Sequence, residues 1–216
     1  MNKLYMIVFG PPGSGKGTQA KRLGEKFKLP VISTGDLLRK EIELKTEIGK
    51  KAQKLMSQGK YVPKEVVDIL LLNRLKKADA RAGAIFDGYP RTMEQQEFLV
   101  KRLHNHKILG VLVDVSDQEI NKRLGGRRAC ICGHIYHLKF NPPKKAGRCD
   151  VCGEKLFIRN DDKPEVIKQR LGIYHEQTEP LLEYWTNVKS LIRVDGEQKI
   201  EKVFKDIVKK LQNYKI

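Results

Sequence analysis

One glycine-rich stretch of the sequence has the residue types that bind phosphate, Gly10-Pro-Pro-Gly-Ser-Gly-Lys-Gly-Thr18. Glycines let several backbone N–H groups converge on one anion, and the N-terminus of a following helix adds positive charge. Lys16 can supply a full positive charge to the outer phosphates, and the Thr18 hydroxyl can lie close to a magnesium ion. The spacing Gly10-x4-Gly15-Lys16 fits the P-loop pattern, although Gly17 precedes the hydroxyl residue. We therefore predict a nucleotide phosphate site.

Two other interpretations of this stretch are weaker. An ordinary Gly/Pro turn would not require the lysine, or the amphipathic helix that opens near Gln19. The spacing Gly15-x-Gly17-x-x-Ala20 matches a loose dinucleotide-binding fingerprint, but that fingerprint begins where its strand ends. Here five residues separate Phe9, the last residue of an apolar run, from Gly15. The phosphate site therefore remains the better prediction.

A second set of reactive side chains is a cluster of four cysteines. They are Cys130, Cys132, Cys149 and Cys152. Such a cluster is typical of a metal site and not of scattered disulfides, and the second pair has ordinary zinc-ligand spacing. The first pair has only one residue between its cysteines, so His134 or His137 could replace a cysteine there. We predict a four-cysteine structural zinc site, with reduced unliganded thiols as the alternative.

The size and charge of the chain limit the classes of protein it can belong to. Its 216 residues can bury one substantial core and leave room for a small inserted module. A net charge of +17 attracts polyanions such as nucleotides, nucleic acid or acidic lipid, although a lysine-rich solvated surface is the better explanation of this charge. The sequence shows no signal-peptide pattern and no apolar run of the roughly 20 residues that span a bilayer. We expect a cytoplasmic protein without membrane contact.

Five short apolar segments alternate with amphipathic segments along the chain. They are Leu4–Phe9, Leu29–Ser33, Ala84–Asp87, Ile108–Val115 and Leu191–Val194. Near-continuous apolar strands are typical of parallel sheets that are covered on both faces, so we predict an α/β fold with a doubly wound, five-stranded parallel sheet. Ligands bind beyond the carboxyl ends of such strands. The loops at Gly10, Thr34, Asp87-Gly88 and Asp195-Gly196 should therefore converge on one cleft.

Two segments interrupt this alternation and predict insertions into a core of residues 1–32, 63–125 and 164–216. Residues 33–62, which we call the arm, contain two predicted helices, and residues 126–163, which we call the lid, contain the cysteines. We expect the helix that opens at Pro63 to bury a wide apolar face. The residues of that face are Val66, Val67, Ile69, Leu70 and Leu72.

The chain resembles the adenylate kinase family over nearly its whole length. The resemblance is carried by Gly10–Thr18, Ile32–Arg39, Asp87–Thr92, Gly126–Arg128, Tyr136-His137, Phe140–Pro143, Arg159–Asp162 and Arg170-Leu171. It implies a P-loop NTPase-like core, a helical monophosphate-binding arm and a mobile, zinc-ribbon-like lid. The chain departs from the family pattern at Tyr89, where phenylalanine is usual, and at the short Cys130-x-Cys132 pair.

The activity that the resemblance implies is reversible, Mg²⁺-dependent phosphoryl transfer from ATP to AMP, giving two ADP. The transition state of such a transfer is loose and spreads charge over several oxygens. The attacking AMP oxygen is already anionic, so positioning and cationic stabilisation matter more than a general base. Arginine suits this task because its planar fork holds phosphate oxygens at two points.

The resemblance also implies roles for individual residues. The predicted catalytic residues are Lys16, Arg91, Arg123, Arg127, Arg159 and Arg170. The predicted ATP-binding residues are Gly13, Ser14, Gly15, Lys16, Gly17, Thr18, Arg127, Ile135, Tyr136 and Gln198. The predicted AMP-binding residues are Thr34, Arg39, Lys60, Tyr61, Val62, Gly88, Tyr89, Pro90, Arg91, Gln95, Arg159 and Arg170. Asp87 would hold magnesium-bound water, and Asp161 and Asp162 would belong to the hinge of the lid, although Asp161 could instead cap the following helix.

Two alternative functions remain open at this point. A kinase that accepts UMP or CMP, or that uses GTP as donor, would share the fold, but Gln95 and Thr34 match the AMP-accepting pattern. A basic zinc-ribbon protein could instead bind nucleic acid, and should then interleave basic residues with stacking aromatics. We expect a monomer whose partners are ATP, AMP and ADP, and neither nucleic acid nor a membrane.

Overall fold

The computed structural model describes residues 3–214, which form seven β-strands and nine α-helices. The strands are β1 (Leu4–Phe9), β2 (Val31–Ser33), β3 (Gly83–Asp87), β4 (Lys107–Asp114), β5 (Arg127–Ala129), β6 (Ile135–His137) and β7 (Leu191–Asp195). The helices are α1 (Lys16–Phe27), α2 (Thr34–Glu43), α3 (Glu47–Ser57), α4 (Lys64–Leu75), α5 (Met93–Leu103), α6 (Asp117–Gly126), α7 (Pro164–Ile173), α8 (Leu181–Asn187) and α9 (Ile200–Gln212).

Five strands form the predicted parallel sheet, in the order β2-β3-β1-β4-β7. All four strand pairs are parallel, with Ile7 of the central strand opposite Phe86 on one side and Gly110 on the other. The predicted fold class is confirmed. One boundary differs, because the Leu29 N–H bonds to the Gly24 carbonyl at the end of α1 and so lies outside β2.

The sheet is buried on both faces, as the apolar strands predict. Successive residues of a strand point to opposite faces, and in β1 Met6 and Val8 join the core that includes residues of α1, α6, α7 and α9. Ile7 and Phe9 join the other core, with residues of α4, α5 and α8. Because helices cover both faces, the carboxyl ends of the strands are the edge of the sheet where a ligand can enter.

Helix α4 buries a narrower face than the sequence suggested. Val67 and Leu71 are buried, but Ile69 is 54% exposed, so its predicted burial is wrong. Helix α4 packs mainly against α2 and α5, and these contacts leave the Ile69 side chain in solvent. The buried face also contains a charged residue, Asp68.

A π-helical turn between α7 and α8 is not visible in the sequence pattern. It covers Tyr174–Thr178, and the Glu179 N–H donates to the Tyr174 carbonyl at 2.9 Å, one residue further back than in an α-helix. Both Tyr174 and Thr178 are buried. Such wide turns occur often at functional sites.

The lid contains little regular structure. Strands β5 and β6 form an antiparallel pair, and Ala129 also bridges to Phe157. The buried cluster of the lid comprises Cys130, Tyr136, Cys149 and Leu156. Within residues 3–214, no helix combines the length and the apolar character that crossing a membrane requires.

Candidate functional site

The loops that leave β1 and β3 line one cleft, as predicted, but the predicted loop at Asp195-Gly196 contributes no residue to its lining. The Thr34 hydroxyl at the end of β2 donates to the Gly88 carbonyl at 2.8 Å, which joins a third loop to this edge of the sheet. The residues that line the cleft are Val8, Phe9, Gly10, Pro12, Lys16, Tyr61, Gly88, Tyr89, Pro90, Arg91, Arg170, Tyr174 and Thr178.

The glycine loop presents free backbone donors to the cleft. Gly15 precedes α1 with φ of +89°, a conformation that favours glycine, and no side chain caps the helix. The Lys16 N–H donates to Ser14 Oγ at 3.4 Å, so the N–H groups of Gly17 and Thr18 are the first in α1 that are available to an anion. Helix α1 begins at Lys16, earlier than the predicted opening near Gln19, and so places the end of the loop in its first turn.

Lys16 lies folded across the loop, where its Nζ donates to the Pro11 carbonyl at 3.1 Å. Desolvation lowers the pKa of Lys16 to about 8, and the negative charge of Asp87 opposes this shift. Arg91 and Arg170 lower the same pKa further by repulsion. Bound phosphate would reverse the balance, because an anion favours the charged form of the lysine.

Asp87 presents a carboxylate beside the start of α1. Its Oδ1 is buried and has no hydrogen-bond partner in the described part of the chain. A Cβ on Gly17 would lie only 3.1 Å from Asp87 Oδ2, so the glycine leaves room for the carboxylate beside the start of α1. Magnesium prefers hard oxygen donors and keeps several waters. The donor set therefore fits the ion.

Two aspartates at the end of the lid hold two of the predicted catalytic arginines. Arg127 makes a two-point contact with Asp162, with Nε 2.7 Å from Oδ2, and the Asp162 side chain is fully buried. Arg170 Nη1 lies 3.0 Å from Asp161 Oδ2 and 3.6 Å from Asp162 Oδ1. Burial alone would raise the pKa of Asp161, but Arg170 and three other arginines hold it below its usual value.

The alternative role of Asp161 as a helix cap is wrong. Lys163 is the residue that precedes α7, and no side chain caps that helix. Asp161 instead accepts two hydrogen bonds from Arg170, one at the carbonyl and one at the carboxylate.

Arg91 and Arg159 differ from the other predicted arginines because neither has a carboxylate within 4.0 Å among residues 3–214. Burial and the charges of Arg39 and Arg127 lower the pKa of Arg159 to about 10. Asp161 and Asp162 oppose this shift only in part, and cations that crowd together are stabilised by a bound polyanion.

Arg39 and Arg123 each make an ion pair within their own helix. Arg39 Nη2 lies 2.5 Å from Asp36 Oδ1, and Arg123 Nε lies 2.9 Å from Glu119 Oε1. Arg123 also donates to the Ser14 carbonyl at 3.3 Å, so it reaches the phosphate loop.

The loop after β3 is anchored by residues of α4 and α5. Gln95 is buried, and its Oε1 accepts from the Arg91 N–H at 2.8 Å. The Tyr89 hydroxyl donates to Asp68 Oδ1 at 2.6 Å, and Lys64 Nζ lies 2.5 Å from the other oxygen. Burial, followed by the hydrogen bond to Asp68, raises the pKa of Tyr89, which keeps its proton. Tyr89, where the family that this chain resembles usually has phenylalanine, therefore has a carboxylate partner for its hydroxyl.

Some predicted nucleotide residues do not line the cleft in this structure. Val62 is buried, and Lys60 follows the end of α3, where its N–H donates to the Leu55 carbonyl. Gln198 lies at the end of β7 and donates to the Asp195 carbonyl. Ile135 and Tyr136 lie in the lid, and the Tyr136 side chain faces the cysteines.

The sequence did not predict that Tyr174 and Thr178 line the cleft. Both belong to the π-helical turn, and Thr178 Oγ1 donates to the Arg91 carbonyl at 2.9 Å. Hydrophobic periodicity cannot signal a single widened turn, because the apolar pattern of the flanking helices continues through it.

The four cysteine sulfurs come together in the lid and all lie within 4.8 Å of one another. The Sγ of Cys130 lies 3.3 Å from that of Cys152, and the Sγ of Cys132 lies 3.6 Å from that of Cys149. In tetrahedral thiolate zinc the sulfurs are about 3.8 Å apart, so the donor set fits this ion. The short first pair reaches the cluster through a turn in which the Gly133 N–H donates to the Cys130 carbonyl.

The histidines near this cluster have different surroundings. His137 Nε2 lies 2.9 Å from the Arg123 carbonyl, and its Nδ1 accepts from the N–H groups of Lys139 and Phe140. Both nitrogens are thus occupied, and His137 is not available as a zinc ligand. His134 Nδ1 lies 3.5 Å from the Sγ of Cys132, at the edge of the cluster.

Proteins of known family resemble this chain along nearly its whole length. A family model described as adenylate kinase matches residues 8–190. An adenylate kinase from Lachnospira eligens is 49% identical over 210 residues, which are 95% of this chain and 99% of that protein. An adenylate kinase from Methanothrix thermoacetophila is 46% identical over 214 residues, which are 98% of this chain and 100% of that protein. The protein therefore belongs to the adenylate kinase family.

Proposed function

We propose that this protein transfers the terminal phosphoryl group of ATP to AMP, reversibly and with Mg²⁺, so that two molecules of ADP form. The observation that carries the proposal is the meeting of a glycine phosphate loop with Arg91, an arginine without a carboxylate partner in residues 3–214. The names of the relatives, adenylate kinases at 46% to 49% identity, supply the two nucleotides.

The chemistry accounts for the excess of cations. ATP and AMP are both anionic, so bringing them together requires neutralisation of their repulsion. The transition state is loose, and its charge is spread over the oxygens of the phosphoryl group in flight. Fixed cations in a cleft that excludes water stabilise this charge without having to reorganise. The attacking oxygen of AMP is already ionised, so the reaction needs no strong base.

On the donor side, residues 13–18 would hold the phosphates of ATP through backbone N–H groups, with Lys16 on the outer oxygens. Arg127 would exchange Asp162 for a phosphate, because its fork suits both anions. Ile135 and Tyr136 would contact ATP only once the lid has closed over it. Such closure excludes water and so limits hydrolysis.

On the acceptor side, the loop after β3 would hold AMP. Arg91 and Arg159 would bind its phosphate, and Arg170 the group in transfer. The remaining residues of this half are Thr34, Arg39, Lys60, Tyr61, Val62, Gly88, Tyr89, Pro90 and Gln95. We assign residues 33–62 as the monophosphate-binding arm and residues 126–163 as the lid.

Two metals belong to this proposal. Magnesium that is bound with ATP supplies positive charge between the phosphates, and Asp87 would hold its water through the oxygen that lacks a partner. Zinc would be held by Cys130, Cys132, Cys149 and Cys152. A closed four-thiolate site has no open position, so zinc would stabilise the lid without reacting.

Two further assignments concern the compartment and the oligomeric state. We propose the cytoplasm as the compartment, because the four cysteines are free thiols and thiolate zinc sites persist in reducing surroundings. We propose a monomer, because one chain supplies both nucleotide half-sites. The alternatives, another acceptor or donor nucleotide and a nucleic-acid-binding ribbon, gain no support from the names of the relatives.

A substrate panel tests the proposed function. The purified protein is given MgATP with AMP, UMP, CMP or GMP in turn, and then AMP with MgGTP, while nucleoside diphosphates are followed. We expect AMP with ATP to exceed every other pair in kcat/KM by at least about tenfold. A preference for a pyrimidine acceptor or for GTP would overturn the nucleotide assignment. Salt-sensitive RNA binding without any transfer would overturn the kinase itself.

A further inference from the structure

The Tyr61 side chain is connected to Arg91 twice, once by direct contact and once through the Thr178 hydroxyl. The Arg91 guanidinium carbon lies 4.9 Å from the centre of the Tyr61 ring, in a cation–π contact. The Tyr61 hydroxyl lies 2.9 Å from Thr178 Oγ1, and Thr178 Oγ1 lies 2.9 Å from the Arg91 carbonyl. Both the backbone and the side chain of Arg91 are therefore linked to Tyr61.

The direction of this hydrogen-bond chain follows from the number of protons. Thr178 has one hydroxyl proton, and the Arg91 carbonyl can only accept, so Thr178 donates to Arg91. The Tyr61 hydroxyl must then donate to Thr178. The chain begins in the segment between α3 and α4, passes through the π-helical turn, and ends on the loop after β3. Thr178 is 5% exposed, so water does not readily replace its partners.

Arg91 needs this support more than its neighbours do. Arg127 and Arg170 are oriented by carboxylates, but Arg91 has no carboxylate within 4.0 Å in the described part of the chain. Its Nε donates to the Gly88 carbonyl at 2.7 Å and its N–H donates to Gln95. A free arginine side chain loses considerable rotamer entropy when it binds an anion, and neutral contacts that fix it beforehand reduce that loss.

We propose that Tyr61 and Thr178 are positioning residues that hold Arg91 ready for the acceptor phosphate. This rests on the proposed function and adds to it, because it gives a role to the Tyr61 side chain and to a residue outside every matched motif. Neutral groups suit this role. A carboxylate would orient Arg91 equally well, but it would compete with the phosphate for the same cation.

Four variants separate the two contacts. Tyr61→Phe keeps the ring on Arg91 and removes the hydroxyl, whereas Tyr61→Leu removes both. Thr178→Val removes the central hydroxyl at nearly constant volume, and Thr178→Ser retains it. Tyr184→Phe and Thr186→Val are the controls, because they make the same chemical changes on α8, where Thr186 donates to the Leu182 carbonyl at 2.8 Å.

The measurement is the KM for AMP and the KM for MgATP, together with kcat, Tm and the Kd for AMP alone from titration calorimetry. We expect Tyr61→Phe to raise the KM and Kd for AMP about fivefold, the effect of one lost hydrogen bond. Thr178→Val should raise them about tenfold or more, and Tyr61→Leu should also lower kcat. The KM for MgATP should stay within about a factor of two. Thr178→Ser and both controls should match the wild type.

Other outcomes would overturn the inference. A fall in Tm with equal changes in both KM values, or with neither changed, would assign Tyr61 and Thr178 a structural role only. So would an AMP effect of similar size in the α8 controls. If the wild type binds AMP but transfers no phosphoryl group, the proposed function fails, and the Kd comparison still decides whether the two residues position Arg91.

Discussion

Two aspartates near the cleft should respond in opposite ways to the same substitution. Asp87 Oδ1 is buried without a hydrogen-bond partner in residues 3–214. Asp68 uses both oxygens, with Tyr89 at 2.6 Å and Lys64 at 2.5 Å. Asp87→Asn should therefore stabilise the protein without nucleotide, whereas Asp68→Asn should destabilise it.

The magnitudes follow from the contacts. A buried polar atom without a partner costs about 1–3 kcal/mol, which the neutral amide recovers in part. The gain is reduced because Asp87 supports the charged form of Lys16. A net gain of about 1 kcal/mol raises the Tm by about 2–4 °C for a chain of this size. At Asp68 an asparagine can still accept from Tyr89 but loses the ion pair with Lys64, so we expect a loss of about 2 kcal/mol.

The two variants should differ in activity in the opposite sense, with Asp87→Asn the less active of the two. Asp87→Asn removes the carboxylate that we assign to magnesium-bound water, so kcat should fall about 10²-fold or more and the requirement for Mg²⁺ should rise. Asp68→Asn should retain most of the activity at 25 °C. Thermal melts without nucleotide and Mg²⁺ titrations of the ATP:AMP reaction measure both effects. A destabilised Asp87→Asn variant, or one with normal activity, would refute the reasoning.

Three further predictions concern metal and pH. Cys149→Ser should lower bound zinc from one equivalent to well below half by metal analysis, and should increase proteolysis within the lid while the sheet still melts cooperatively. Lys16→Met should lower kcat at least about 10²-fold. Because desolvation depresses the pKa of Lys16 to about 8, the charged lysine destabilises the fold most fully below that pH. The variant should therefore melt at a higher temperature at pH 7, with a gain that shrinks as pH rises from about 8 to 10.5. Hydrogen bonds to Glu179 and then to Asp117 raise the pKa of His175, although burial opposes the shift. The stability that protonated His175 contributes is therefore complete below its pKa in the unfolded chain, and is lost as pH rises through its pKa in the folded protein. The Tm difference between wild type and His175→Gln should shrink from pH 5.5 towards about pH 8.5, and a constant difference would contradict this assignment.

The sequence predicts best what depends on residues close together in the chain. The apolar run before Gly10 and the glycine spacing after it specify a strand, a turn and a helix start, and all three are present. The cysteine cluster was also predictable, because Cys149 and Cys152 belong to one short turn. Their meeting with Cys132 depends on the antiparallel bridge between Ala129 and Phe157, which the sequence does not show.

The partners of charged side chains could not be predicted in this way. Arg91 and Arg127 were both predicted as catalytic from their positions within motifs. In the structure, Arg91 has no carboxylate within 4.0 Å among residues 3–214, whereas Arg127 pairs with Asp162. That difference depends on which helix ends approach each arginine in three dimensions. Asp68 is likewise an acidic residue among apolar residues of α4, and only the fold shows that it accepts from the Tyr89 hydroxyl.

The positions of the lid residues depend on tertiary structure for a similar reason. Tyr136 matches an ATP-contacting position in sequence, but its hydroxyl lies 3.4 Å from Cys149 Sγ and accepts from the Asp150 N–H. Sequence alone does not determine how far a lid lies from its nucleotide, because closure depends on the ligand.

Following both products of one reaction tests whether this protein transfers a phosphoryl group from ATP to AMP. The protein is mixed with MgATP and radiolabelled AMP, and ADP, ATP and inorganic phosphate are separated at short times. We expect two ADP for each ATP consumed, with the label in half of the ADP, and formation of ATP and AMP when ADP is supplied alone. Consumption of ATP with release of inorganic phosphate and no labelled ADP would contradict it.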